Sequence, residues 1–233
     1  MSNTSFERFV DVDIEGASLR AAGLAAKALR ESVALRSRAS LALSGGSTPG
    51  RFFELLAGQD LPWDAVHIFW ADERLVARDS PESNYRLAQK YLLSRAPIPQ
   101  GNIHPMAGKG TPEEQASAYE VLLREVFPDE NPPAFDVIHL GLGGDGHTAS
   151  LFPGQPALSE RERWVVPVEY ARALPPLPRL TLTLPVLNAA RLVIVLAAGL
   201  DKARLVERIL TGQGRECPAS LVRPAGRLVW IVG

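Results

Sequence analysis

Short, continuously apolar segments alternate with longer segments of helical periodicity along this 233-residue chain. Ala39 to Leu43, Phe135 to Leu140 and Arg191 to Ala197 show little of the in–out alternation that a half-exposed strand needs. Strands apolar on both faces must be covered on both, which is the condition of a parallel sheet built from strand–helix–strand units. The expected fold is a single-domain α/β architecture spanning residues 1–233. Its open sheet is mostly parallel, with helices on both faces.

The remaining elements follow from local signals. Arg8 to Val12 reads as a first strand, and Ser18 to Arg36 as a helix with Ala22, Ala25, Ala26, Leu29 and Val33 on its buried stripe. Thr48 before Pro49 reads as the cap and first position of a second helix. Ala65 to Ala71 is a strand, Asn84 to Leu93 a helix, and Thr111-Pro112-Glu113-Glu114 a capping box before a helix to about Phe127. Strands near Trp164 to Val168, Leu180 to Thr183 and Leu228 to Val232, and a helix over Lys202 to Leu210, complete the pattern. The cluster Pro175, Pro176 and Pro178 lies among short elements, so it reads as a loop, not a linker.

Bulk properties narrow the partners. A hydrophobic content of 46% with 22% charged residues is ordinary for a globular chain, and a net charge of -1 gives no electrostatic case for nucleic acid or an anionic membrane. Met1 to Val12 lacks the layout of a secretory signal, and Leu192 to Leu200 is too short to span a bilayer. The lone Cys217 excludes an internal disulfide framework. A cytoplasmic setting is expected. Oligomeric state is left open, a monomer being compatible with the sequence.

Four segments carry candidate chemistry. Ser44-Gly45-Gly46-Ser47-Thr48 joins a strand to a helix start, where exposed amides, hydroxyls and the helix dipole suit phosphate; the plain alternative is a capped tight turn. The loop lacks the Gly-Lys-Ser/Thr ending of a nucleotide-binding P-loop. Asp72, Glu73 and Arg74 end another strand, as acid–base groups with an anion anchor or as a solvated turn. Lys202 and Arg179 are further cations at element starts; Lys202 reads as a phosphate ligand, or as a solvent-facing side chain beside a capping Asp201.

The fourth segment, Gly141 to Gly146, packs four glycines into six residues before His147. Histidine titrates near neutrality and is the commonest general base, and Asp145 two residues away is placed to orient it. A histidine that only satisfies loop hydrogen bonds remains the alternative. His67, His104 and His139 lie in or beside strands and read as structural. No spacing supports a metal site or a serine nucleophile.

Taken in order, Leu43 to Pro49, Trp70 to Arg74 with Ser83-Asn84-Tyr85, and Gly144 to Gly154 resemble the glucosamine-6-phosphate isomerase/6-phosphogluconolactonase family. Pro178 to Thr181 and Gly199 to Ala203 extend the likeness. The resemblance implies a Rossmann-like sheet and hydrolysis of 6-phospho-D-glucono-1,5-lactone without metal or organic cofactor. It implies His147 as base with Asp145, Asp72 and Arg74 in the catalytic set. Ser44, Gly45, Gly46, Ser47, Thr48, Asn84, Arg179 and Lys202 would hold substrate, chiefly its phosphate. In the related deaminases a glutamate follows the histidine by five residues. Here that position is Phe152, which cannot transfer protons, so the lactonase branch is expected over a deaminase or isomerase. A sugar-phosphate sensor domain is the non-enzymatic alternative.

Overall fold

The computed structural model describes residues 6–233, so the first five positions of the Met1 to Val12 segment lie outside the described residues. The apolar segments become strands β1 (Phe6–Val10), β2 (Ala39–Leu43), β3 (Val66–Trp70), β5 (Val137–Gly141), β8 (Leu192–Ala197) and β9 (Arg227–Val232) of one sheet. Their order is β1-β9-β8-β5-β2-β3, and every pairing is parallel. The expected parallel sheet is what forms. β1 starts and ends two residues earlier than its sequence pattern suggests, because it pairs with β9 from Phe6↔Leu228 to Val10↔Val232.

Helices α1 (Ile14–Arg36), α2 (Gly50–Ala57), α3 (Asn84–Ala88), α4 (Pro112–Val126), α5 (Leu184–Ala189) and α6 (Leu200–Leu210) accompany the strands. α1 starts four residues before the expected Ser18, since the Asp13 carboxylate accepts from the Gly16 N–H and caps it there. The capping box of Thr111 and Glu114 forms as read. α3 continues as a wider π-helical turn over Gln89–Leu93. α5, with Pro185 in its first turn, is too short to leave a periodic signal. Trp70, Trp230, Phe52, Phe53, Phe69 and Phe135 are fully buried in one continuous apolar core.

The sequence does not announce a second, antiparallel sheet, β4 (Asp72–Arg74), β7 (Arg179–Leu182) and β6 (Val165–Val168), in the order β4-β7-β6. The charged triplet 72–74 is thus a strand and not a solvated turn, with Asp72↔Thr181 and Arg74↔Arg179 as cross-strand partners. Ala71 joins the two sheets. Its N–H donates to Leu43 O, and its carbonyl accepts from Leu182 N–H, both at 2.8 Å.

Two histidines, His139 in the core and the half-buried His104, make folding pH-dependent. His139 stacks on Phe52 at 4.7 Å between centroids, and neither ring nitrogen has a partner among the described residues. Burial pushes its pKa down to about 3. His104, whose Nε2 lies 3.0 Å from Nδ1 of His67, is pushed down to about 4 by burial and by His67. In the unfolded chain both titrate near ~6.5. The unfolded state therefore binds the extra protons, and stability is lost as pH falls from about 6.5 toward the folded values. The fully buried His139 costs roughly 1.4 kcal/mol per pH unit in that window, and the half-buried, better screened His104 costs less. Urea midpoints are expected to drop between about pH 7.5 and pH 5, and His139→Leu should shrink that drop. An unchanged midpoint would contradict histidines held neutral by the fold.

Candidate active site

The carboxyl ends of β2 and β5 open into a cleft of about 240 Å³. On one wall the Ser44–Thr48 segment leaves β2. The amides of Gly45, Gly46, Ser47 and Thr48 donate to no protein group among the described residues, and the buried Ser44 hydroxyl is unpartnered. Thr48 does not cap α2: the helix begins at Gly50 after Pro49, with no side-chain cap. Its first amides therefore add to the open donors of this wall.

Asn84 fixes the loop from behind. It is buried, its Nδ2 donates to the Asp72 carbonyl at 2.8 Å, and it does not line the cleft. A Cβ on Gly45 would lie 1.8 Å from Asn84 Oδ1, so only glycine lets the loop rest on that side chain. The structure therefore places Asn84 as a support beneath the cradle, off the cleft lining.

Three cations face the cradle. Arg74 and Arg179 lie side by side across the antiparallel pair, and Lys202 comes from the first turn of α6. Each guanidinium donates one nitrogen to carbonyls, Arg74 to Glu82 (2.6 Å) and Arg179 to Leu174 (3.3 Å) and Pro175 (3.0 Å), and keeps donors to spare. Arg179 is only 3% exposed. Burial and the adjacent Arg74 lower its pKa, while Asp72 opposes the shift. Burial likewise lowers the pKa of Lys202. Asp201 is fully exposed and caps nothing, so the α6 amides also stay open. Buried like charges without a carboxylate partner are costly by themselves, and an anion offsets that cost.

Across the cleft stands the glycine loop. His147 Nδ1 lies 2.5 Å from Asp145 Oδ1, which also accepts from the His147 N–H at 3.1 Å. Burial raises the Asp145 pKa, but these hydrogen bonds outweigh it and hold the carboxyl below its usual value. A Cβ on Gly143 would fall 2.1 Å from His147 Nδ1, so this glycine gives the imidazole its seat. Gly146, at φ 82°, packs on Cys217 and passes its carbonyl to the Ala219 N–H. Behind the imidazole lies Phe152, 4.6 Å away between centroids, with Tyr170 and the Arg179 guanidinium on its other contacts.

Asp72 lines the cleft at 4% exposure, whereas neighbouring Glu73 faces inward. Glu73 accepts from the N–H groups of Arg74, Asn84 and Tyr85 at 2.7, 2.8 and 2.7 Å. It clamps the start of α3 and does no cleft chemistry. The structure thus gathers Ser44, Gly45, Gly46, Ser47, Thr48, Asp72, Arg74, His147, Arg179 and Lys202 around one cavity. Asp145 stands behind His147. The sequence does not reveal the packing of Phe152 or the lining by Leu174, because each depends on contacts distant in sequence.

The fold and cleft define a class: an open parallel α/β protein whose site for an anionic small molecule lies at the strand ends. Among the described residues no helix is long and apolar enough to cross a membrane. The chain belongs to the family described as glucosamine-6-phosphate isomerases/6-phosphogluconolactonase, whose model matches residues 13–230. It is 42% identical over 209 residues to a 6-phosphogluconolactonase of Synechocystis, covering 88% of this chain and 85% of that protein. Against the 6-phosphogluconolactonase of Homo sapiens it is 43% identical over 204 residues, covering 84% and 79%. The crystal structure of the 6-phosphogluconolactonase from Thermotoga maritima superposes with a TM-score of 0.88 at 31% identity, over 98% of this chain and 100% of that one. A monomeric glucosamine-6-phosphate deaminase shares the fold, at a TM-score of 0.79 and 22% identity.

Proposed function

We propose that this protein hydrolyses 6-phospho-D-glucono-1,5-lactone to 6-phosphogluconate in the oxidative branch of the pentose phosphate pathway. The observation that carries the reading is an aspartate-held imidazole facing three cations that form no salt bridge among the described residues, in a chain whose relatives bear the lactonase name. The phosphate rests on the Ser44–Thr48 amides and hydroxyls, with Arg179 and Lys202 supplying charge. Binding at this remote group holds the lactone carbonyl beside the glycine loop, turning affinity into orientation.

His147 keeps its proton on Nδ1, toward Asp145, which leaves Nε2 to take a proton from water as the water oxygen attacks C1. The amides of Gly143 and Gly146 are engaged within the loop, by the Gly143 N–H to His147 O and the Gly146 N–H to Gly143 O. Arg74, already in the cleft, or the loop amides that keep no partner then stabilise the tetrahedral oxyanion. Collapse breaks the bond from C1 to the ring oxygen, and His147 returns the proton to that oxygen. Asp72 holds a sugar hydroxyl. No step calls for a metal or organic cofactor, and the setting is cytoplasmic.

Phe152 against the imidazole puts an apolar ring where ring-opening chemistry needs a second proton carrier. Lactone generated in place by glucose-6-phosphate dehydrogenase should yield 6-phosphogluconate well above the spontaneous rate. A rate equal to the protein-free control would remove the activity. Ammonia release from glucosamine 6-phosphate would move the chain to the deaminase branch.

A further inference from the structure

The turn after His147 reaches a second element of the site. The Leu151 N–H donates to Thr148 O at 3.0 Å, closing a tight turn, and Ala149 within it holds φ 47°, where residues other than glycine are uncommon. That backbone drives Ser150 inward, to zero exposure. Its hydroxyl lies 2.7 Å from Asp72 Oδ2, and its N–H donates to Thr181 Oγ1 at 3.2 Å. Thr181 is the cross-strand partner of Asp72. The catalytic loop is thus stitched to both strands that carry the buried carboxylate.

The two oxygens of Asp72 are unequal. Oδ2 receives the Ser150 proton, while Oδ1 has only a long contact of 3.4 Å to Asn84 Nδ2. A buried carboxylate with one oxygen tied and one open is aimed, because the tied oxygen sets the rotation of the group. We infer that Ser150 is a positioning residue: its hydroxyl fixes Asp72 so that Oδ1 meets a substrate hydroxyl in register with His147. The strained turn at Ala149 places that hydroxyl. The inference rests on the lactonase reading above and assigns Ser150 no contact with substrate.

Ser150→Ala, Asp72→Asn and the double variant test it through initial rates with in-place lactone and calorimetric titration with 6-phosphogluconate. Ser150→Ala is expected to lower kcat by about 10- to 100-fold, the usual effect of a misplaced site group. Its product Kd should change less than about twofold, and its thermal midpoint should fall by only a few degrees, roughly the cost of one lost buried hydrogen bond. In the Asp72→Asn background the same change should cost under about threefold, since the two residues act as one unit. Should Ser150→Ala fail to fold, Ser150→Cys keeps the shape with a weaker donor and should show a smaller kcat loss of the same kind. An equal loss in both backgrounds, or a loss confined to KM, overturns the role of Ser150 alone. An inactive wild-type protein overturns the lactonase reading and this inference with it.

Discussion

His147→Ala is expected to lower lactone hydrolysis by roughly two to four orders of magnitude, the usual worth of a positioned general base. Affinity for 6-phosphogluconate should stay within about twofold, because in the proposed binding mode the anion would be held by the Ser44–Thr48 amides, Arg179 and Lys202, which line the cleft with His147. The separation of effects is the test. Loss of a group that acts only in the transition state lowers kcat and kcat/KM together. The imidazole is also bounded by Asp145 and Phe152, so its removal opens a side pocket without disturbing the cradle. Initial rates with in-place lactone and calorimetric titration with product decide the matter. An unchanged rate would take His147 out of the mechanism.

Arg179→Ala is expected to act on the other side of that division, raising KM and product Kd by about 10- to 100-fold. Hydrogen bonds to charged groups are worth about 1.5–3 kcal/mol, and each 1.4 kcal/mol is tenfold in affinity. Arg179→Lys should recover part of the loss, since it restores charge but not the planar fork. The same side chain lies 5.4 Å above Phe152, so a packing effect on His147 has to be separated from a phosphate effect. Unphosphorylated gluconolactone separates them. If Arg179 works through phosphate, slow hydrolysis of that substrate stays near wild type. Equal losses on both lactones would assign Arg179 to packing.

The parallel core was readable because its signal is local: runs such as Leu192 to Ala197 are apolar on both faces and have no solvent side to offer. The small sheet was not, because what makes Asp72, Glu73 and Arg74 a strand lies far off in the chain. Glu73 is satisfied by amides of Asn84 and Tyr85, and Arg74 is registered by Arg179, more than a hundred residues on. In isolation the triplet carries only turn-like charge. The glycine loop was legible as a site, since few other uses explain four glycines before a histidine. Ser150 was not, as nothing near a small polar residue in a loop says that it will be buried on a carboxylate. Asn84 was visible through its neighbours, but its role turned on Gly45, whose missing side chain leaves room for it beneath the cradle.

Ala71 carries one hydrogen bond into each sheet, and the two walls of the cleft hang from those sheets. The anion cradle leaves β2, while Asp72, Arg74 and Arg179 sit on β4 and β7. Because one fully buried residue with a methyl side chain pins both, the walls share a single reference point and cannot slide past each other. The offset between the Ser44–Thr48 loop and the side chains of Asp72, Arg74 and Arg179 is therefore set largely when the chain folds. Under the lactonase reading, such a cleft would act as a gauge of length, favouring the lactone whose phosphate sits the right number of carbons from its ester.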